Sequence, residues 1–184
     1  MTEQWRRVTR KKVLDSPWMR VYEDGYILPD GQQIPHYYIW ESGDSALCVC
    51  KVGEDNVLLT RQYRPGIEKF TVCHPGGRLE SSDASPVSGA TRELLEETGC
   101  SPKKVTPLGM FGQIPAITPN RVHIFLVQCE PPQNQPMPEP SEEIAVELVP
   151  IPKLKELIVS GEMDCIACVA ATYLALDVLS GGSR

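Results

Sequence analysis

Glu93, Glu96 and Glu97 crowd three carboxylates into five positions of the stretch SPVSGATRELLEETG. That stretch reads as a helix opening at Ser85, a good N-cap, with Pro86 at its first position and Gly99 just past its end. Val87, Ala90, Thr91, Leu94 and Leu95 recur at three- and four-residue spacing and form the expected buried stripe. The three glutamates are then expected together, off that stripe. Like charges so spaced repel by roughly 0.2–0.5 kcal/mol per pair, and the negative end of the helix dipole adds a similar penalty. Arg92 offsets part of this through an i,i+4 pairing with Glu96. For ELLEE alone the ordinary reading is a solvated acidic face. The chemical reading is an oxygen-rich site for a divalent cation, and Mg2+ suits it: the ion is hard, prefers an octahedron of oxygen ligands and keeps several waters.

Other reactive residue types form weaker patterns. The seven cysteines are scattered at positions 48, 50, 73, 100, 129, 165 and 168. Cys165-Ile-Ala-Cys168 has zinc-like spacing, but no second pair or matching histidines accompany it, so reduced and partly buried thiols are expected. His36, His74 and His123 show no triad pattern. Arg64 in RQYRPG and Arg78 beside Gly76-Gly77 are candidate phosphate-binding cations; Arg61 is read as solvated. Trp18 and Trp40 offer flat faces on which a purine could stack, with a core role as the ordinary alternative.

The elements that would position these groups alternate without repeats. WMRVYEDGYILPDGQQIPHYYIWE reads as strand, Pro-Asp-Gly turn and strand. DSALCVCKV and NVLLTRQYR flank Gly53-Glu54-Asp55 as paired strands, and EKFTVCHP is a short strand running into the glycine pair. After the helix come two strands, KVTPLGMFGQI and RVHIFLVQCE, separated by PAITPN. PPQNQPMPEPSEE is an exposed loop, and IAVELVPI a last strand. PKLKELIVSG and MDCIACVAATYLALDVL are helices, the second apolar around much of its circumference and so expected to be buried.

The glycine pair and RELLEETG together resemble the Nudix box: Gly, five residues, Glu, seven residues, Arg-Glu, an aliphatic, any residue, Glu-Glu, any residue, Gly and an aliphatic. Gly77, Arg92, Glu93, Leu94, Glu96, Glu97 and Gly99 fit. Asp83 stands where the first Glu belongs, eight residues rather than seven separate it from Arg92, and Cys100 replaces the final aliphatic. The first Glu of the family orients the box arginine, so this departure implies a looser hold on Arg92. From about Trp18 to Leu179 the chain is similar to the ADP-ribose pyrophosphatase branch, through LPDG, VLLTRQYRPG, NRVHIFLV, SEEIAVELVPI, LIVSGEMD, and Pro115 sixteen residues past Gly99. Cys73 and Asn120 stand where that branch commonly has acidic residues.

The resemblance implies an α/β fold, a Nudix α/β/α sandwich with a mixed sheet and an N-terminal antiparallel β-extension. It implies a domain at 41–180, with residues 1–40 as the β-extension and probable dimerisation element and 181–184 as a tail. It implies Mg2+, or Mn2+ in its place, on Glu93, Glu96, Glu97 and a backbone oxygen near Gly76 or Gly77. The general base comes from the loop before the last strand, where Glu142 is favoured over Glu139 and Glu143. Glu142, Glu97, Glu93 and Arg92 form the expected catalytic set; Arg64, Arg78, Trp40 and Trp18 are expected to bind substrate. The expected reaction is hydrolysis of the pyrophosphate bond of a nucleoside diphosphate sugar, ADP-ribose giving AMP and ribose 5-phosphate. Another nucleotide sugar or a dinucleotide is the alternative substrate, and a weakly catalytic ligand-sensing module the alternative of another class.

Composition agrees. The 184 residues suffice for one sizeable core, and a net charge of −6 argues against nucleic acid as partner. No stretch approaches the ~18 apolar residues of a membrane span, and the polar start does not read as a signal peptide. A cytoplasmic homodimer without membrane attachment is expected.

Overall fold

The computed structural model describes residues 3–132, 134–137 and 143–182. The chain divides into two compact units: one of residues up to Gly43 together with Gly112–Arg121, and one of Asp44–Phe111 with Val122 onward.

In the first unit β1 (Arg6–Asp15), β2 (Arg20–Ile27) and β3 (Gln33–Glu41) form an antiparallel sheet in sequence order. The sheet is organised around one buried acid. Asp24 accepts from Arg10 Nε and Nη2, both at 2.8 Å, and from the Tyr26 hydroxyl at 3.0 Å. Arg7 approaches to 3.8 Å, and Arg10 lies over the Tyr22 ring, 4.4 Å from its centroid. Trp5, Tyr26 and Tyr37 meet edge to face with centroids 5.6–6.0 Å apart. The 112–121 segment is tied to β3 by Trp40 N–H to Ile117 C=O at 3.0 Å and by the Tyr37 hydroxyl to Ala116 C=O at 2.7 Å.

The second unit is built on a seven-stranded mixed sheet. β4 (Ser45–Val52), β5 (Asn56–Arg64), β8 (Pro102–Gly112), β9 (Arg121–Cys129) and β10 (Ala145–Pro150) run in the order β10-β5-β4-β9-β8. β6 (Lys69–Cys73) pairs with β5, and β7 (Gly76–Arg78) with β4. β4 and β9 are parallel, from Ser45 opposite Val122 to Val52 opposite Cys129. Along one edge β4 changes partner. Residues Ser45, Ala46 and Leu47 pair with β7, while Cys50, Lys51 and Val52 pair with β5. That exchange sets the glycine pair into the sheet.

The period-two alternation of β4 feeds two cores. Ala46, Cys48 and Cys50 join Leu58, Phe125 and Val127 beneath α1 (Pro86–Thr98), which contributes Ala90 and Leu94. Val49 joins Val57, Leu59, Ile124 and Leu126 beneath α2 (Leu154–Val159) and α3 (Ile166–Leu179). The result is the expected α/β/α sandwich with an N-terminal antiparallel extension. α3 departs from expectation. Only Cys168, Ala171, Thr172 and Ala175 are buried, and Ile166 is 76% exposed. Its small residues are the fully buried ones, while Leu174, Leu176, Val178 and Leu179 pack half-buried against the same core.

Candidate functional site

Local sequence explains where α1 begins and ends. Ser85 accepts from Ser88 N–H at 3.1 Å while the Ser88 hydroxyl accepts from Ser85 N–H at 2.9 Å, a reciprocal capping box, and Pro86 follows. Gly99, at φ 68, closes the helix with its N–H on Leu95 C=O. The buried face, however, is Gly89, Ala90, Leu94, Glu97 and Thr98; Val87 and Leu95 are exposed. The helix is thus rotated from the orientation its large apolar residues imply, and Glu97 faces inward at 3% exposure.

A buried carboxylate needs donors, and the glycine pair supplies one. Gly76 N–H donates to Glu97 Oε2 at 2.9 Å. Gly77 lies so near Glu93 that a Cβ there would meet its carboxyl carbon at 2.6 Å. A larger residue at Gly77 would displace the Glu93 carboxylate, and at Gly76, with φ 149, a Cβ would meet the Ala46 carbonyl oxygen, so only glycine fits there.

Arg92 is held firmly, against the looser hold implied by Asp83 and the longer spacing. Its Nε and Nη2 donate to the two oxygens of Asp83, each at 3.2 Å, and Nη1 donates to Glu93 at 3.1 Å and Glu96 at 2.9 Å. Nη2 also reaches Arg78 C=O at 3.3 Å. The turn that brings Asp83 in is fixed by Glu80 N–H donating to Asp83 Oδ2 at 2.8 Å. Asp83 packs so close to the helix that a Cβ at Gly89 would meet its Oδ2 at 2.6 Å. The extra loop residue and the missing Gly89 side chain together make up for the shorter acid. Hydrogen bonding to Arg92 holds the Asp83 carboxyl below the usual carboxylate range, and the same bond, with Glu93 and Glu96 adding, raises Arg92. The role of Gly89 was the signal missed in the sequence, where it was not counted as a packing position.

The charge puzzle of the helix end is thus partly answered within the chain. One guanidinium serves Asp83, Glu93 and Glu96, and a backbone N–H serves Glu97. Among the described residues no group of three or more His, Cys, Asp or Glu side chains is disposed to hold a metal ion by itself. The donor set nevertheless fits a hard cation that takes one or two carboxylates and fills its shell with water and phosphate oxygen. Glu93, Glu96 and Glu97 present only oxygen, and Gly77 leaves open, beside the Glu93 carboxylate, the space a Cβ would fill.

The other predicted residues distribute as follows. Arg78 ends β7 beside the glycine pair. Arg64 ends β5 half-buried, with no side-chain ion pair among the described residues. Trp18 and Trp40 belong to the first unit. Trp18 is 67% exposed, and Trp40 lines an open apolar depression with Met19, Val21, Tyr38 and Ile39. Glu142 and Glu139 lie outside the described residues, and Glu143 is exposed. Asn120 is buried and donates to the Ser42 hydroxyl at 2.9 Å. All seven cysteines are free thiols. No described helix is long and apolar enough to cross a membrane.

The NUDIX domain model matches residues 42–165, and the chain belongs to the Nudix family, whose hydrolases generally use a divalent metal. The chain is similar to the ADP-ribose pyrophosphatase of Bacillus subtilis (strain 168), 27% identical over 121 residues that make up 66% of this chain and 64% of that protein. It is 26% identical to the methanol dehydrogenase activator of Bacillus methanolicus over the same shares of each. With the CMP-5'-(N-acetyl-N-hydroxy-3-aminopropyl)phosphonate hydrolase of Streptomyces rubellomurinus (strain ATCC 31215) it shares 25% identity over 86% of this chain and 75% of that one. The match thus spans just under two thirds of the first two relatives. The crystal structure of an ADP compounds hydrolase superposes with a TM-score of 0.85 over 100% of this chain and 98% of that one, at 19% identity, which establishes the shared fold.

Proposed function

We propose that this Nudix hydrolase is a Mg2+-dependent pyrophosphatase that cleaves the diphosphate of a nucleoside diphosphate sugar, with ADP-ribose giving AMP and ribose 5-phosphate. The observation that carries this reading is the Arg92 network, which fixes Glu93 and Glu96 beside the Gly76-Gly77 turn while Glu97 is anchored to Gly76 N–H. The name of the Bacillus subtilis relative supports the substrate class.

Glu93, Glu96, Glu97 and a backbone oxygen at Gly77 would hold the cation. Bound there, it would supply positive charge against the diphosphate and acidify water. Arg92 keeps Glu93 and Glu96 from repelling each other apart before substrate arrives. Arg64 and Arg78 receive the phosphates, and Trp40 and Trp18 the base. Glu142 takes the proton of the attacking water. Glu142→Gln then lowers turnover and leaves the Michaelis constant nearly unchanged; if only Glu139→Gln or Glu143→Gln has that effect, the base is reassigned within the same loop.

The β1–β3 sheet is the dimerisation element, since every residue of β1 is exposed and small β-structures need a surface to pack on. The residue types and the described helices suit a cytoplasmic protein. A second substrate reading is supported by the relative that acts on a CMP-linked phosphonate. The deciding experiment is therefore a panel of ADP-, CMP- and other nucleotide-linked sugars, dinucleotides and phosphonates with Mg2+ or Mn2+, read as released mononucleotide. Preference for ADP-ribose supports the proposal. Preference for another compound reassigns the substrate, and binding without release of any mononucleotide favours a sensing role.

A further inference from the structure

The proposed chemistry gives no role to His74, which sits in the junction between β6 and β7 and is 1% exposed. Its Nε2 lies 2.8 Å from the Thr172 hydroxyl of α3, while its buried Nδ1 has no hydrogen-bond partner among the described residues. A buried polar atom is ordinarily paired, and an apolar side chain would fill this place without orphaning a nitrogen. The residue type therefore calls for a reason beyond packing.

The surroundings decide which nitrogen carries the proton. Burial pushes His74 down to about 4, so the ring is neutral at pH 7, with one N–H and one lone pair. The single Thr172 hydroxyl proton is directed at Cys168 C=O, 2.9 Å away, with the Met163 sulfur at 3.4 Å. Thr172 Oγ1 therefore accepts, and His74 Nε2–H donates to it. The opposite tautomer would bury an unpaired N–H, the rarer kind of orphan.

Three consecutive residues are thus each held by a different element. The His74 ring hangs on α3. Pro75 C=O accepts from Cys48 N–H of β4 at 2.8 Å, and Gly76 N–H donates to Glu97 Oε2 of α1 at 2.9 Å. The linkage between them is stiff. A residue before proline is confined to the extended region, the Pro75 ring locks its own φ, and the Ala46 carbonyl crowds Gly76 at φ 149. Few torsions remain between the imidazole and the amide that faces Glu97. Because α3 covers one core of the sheet and α1 the other, this tripeptide joins the two helices across it.

We propose that His74 is a positioning residue: its bond to Thr172 fixes the Pro75–Gly76 peptide, which aims the Gly76 N–H at Glu97 and keeps that carboxylate turned toward the box. The consequence for metal affinity rests on Glu97 being a cation ligand, as in the proposed function. The consequence for the Gly76 amide does not.

The full-length protein would be compared as wild type, Thr172→Val and Thr172→Ser. Valine keeps the shape and removes the acceptor; serine keeps the hydroxyl. Deuterium exchange of the Gly76 amide, followed by NMR, should quicken about tenfold in Thr172→Val while the central β4 and β9 amides keep their rates, and should return to within about twofold of wild type in Thr172→Ser. Binding of Mn2+ without substrate, read from the electron spin resonance of the unbound ion, should weaken about fivefold in Thr172→Val, less than is lost when a metal ligand's direct partner is removed. An unchanged Gly76 amide in folded Thr172→Val overturns the proposal. So does uniformly faster exchange throughout the sheet, which marks a loss of stability alone. Wild-type protein that binds no Mn2+ overturns the cation reading of Glu97 instead, and the Gly76 amide still decides the role of His74. If Thr172→Val does not fold, His74→Gln and His74→Asn take its place. Glutamine brings an amide nitrogen near the position of Nε2 and should keep Gly76 exchange slow; asparagine stops short of Thr172 and should not. Equal Gly76 rates in those two variants overturn the proposal.

Discussion

The two units each contain an arginine–carboxylate network, and the two are balanced in opposite directions. In the β1–β3 sheet Asp24 is fully buried and receives Arg10, Arg7 and Tyr26, while Glu41 beside it takes Arg10 at 3.8 Å and Arg20 at 3.5 Å. In the box a single guanidinium, Arg92, is divided among Asp83, Glu93 and Glu96, with Glu80 at 3.9 Å. Donors exceed acceptors in the first network, which makes it a closed structural joint. In the second one guanidinium is shared among several acids, so it holds them in place close together. An ion pair by itself is weak evidence of function; the direction of imbalance is the informative quantity.

Four changes test that contrast. The largest effect is expected from Glu97→Gln, which removes one charge from the acid-rich network. Turnover should fall about 100-fold or more with the thermal midpoint little changed, as for loss of a metal ligand; near wild-type turnover at saturating Mg2+ would take Glu97 out of the site. Next comes Asp24→Asn in the donor-rich network, expected to lower stability at pH 7 by about 2 kcal/mol, the scale for stripping a buried charge-assisted partner. Bonding to Arg10 holds the native Asp24 carboxyl below the ordinary aspartate value of 3.8. Its contribution is therefore full above pH 3.8 and is lost as pH falls through the depressed native value. The gap between Asp24→Asn and wild type, measured by urea unfolding, should close in that acid range; a pH-independent gap would mean the effect is not electrostatic.

Trp40→Ala asks whether the first unit contributes to affinity. Binding of an adenine-containing substrate should weaken by roughly 1–3 kcal/mol, the range for aromatic–base stacking, with turnover of bound substrate less affected. An unchanged Michaelis constant would pass the role to Trp18, and a fully active monomer by light scattering would exclude a pocket shared between subunits. The smallest effect is expected from Asp83→Asn, which keeps the shape of the Arg92 clasp but removes its charge. Turnover should drop about fivefold, since one of the three acids that hold Arg92 loses its charge. A drop as large as that of Glu97→Gln would make Asp83 part of the chemistry and not of the scaffold.

Much of the box helix was legible because its boundaries are written in local chemistry: Ser85, Pro86 and Gly99 act within a turn of themselves. The face it buries was legible only in part, through Ala90 and Leu94. Gly89 and Thr98 carry no large apolar group, yet they lie inward, while Val87 and Leu95 stay out. Close approach of the Asp83 loop at Gly89 and of β7 at Gly77 decides the rotation, and both are contacts with other segments. The same reason hid the firmness of the Arg92 clasp, which depends on where an eight-residue spacer places Asp83. β1 fell inside the expected β-extension, but RRVTRKKVLD is exposed throughout and carries no alternation that marks its bounds; these are set by its pairing with β2. In α3 abundant apolar residues suggested burial all round, whereas the fully buried positions are small and the leucines are only half-buried.

The parallel pairing of β4 with β9 also has a consequence for time. Ser45 must find Val122, and the whole of β5, β6, β7 and α1 lies within the span this encounter closes. Closure entropy must be met before such distant pairing is rewarded, so topologies of this kind assemble slowly. A nascent chain released before β9 has emerged lacks the strand that covers one edge of β4. Its capped helix can form locally, but the sheet beneath it is incomplete. The acidic box is then a late product of folding, and a half-made molecule presents the motif without the site.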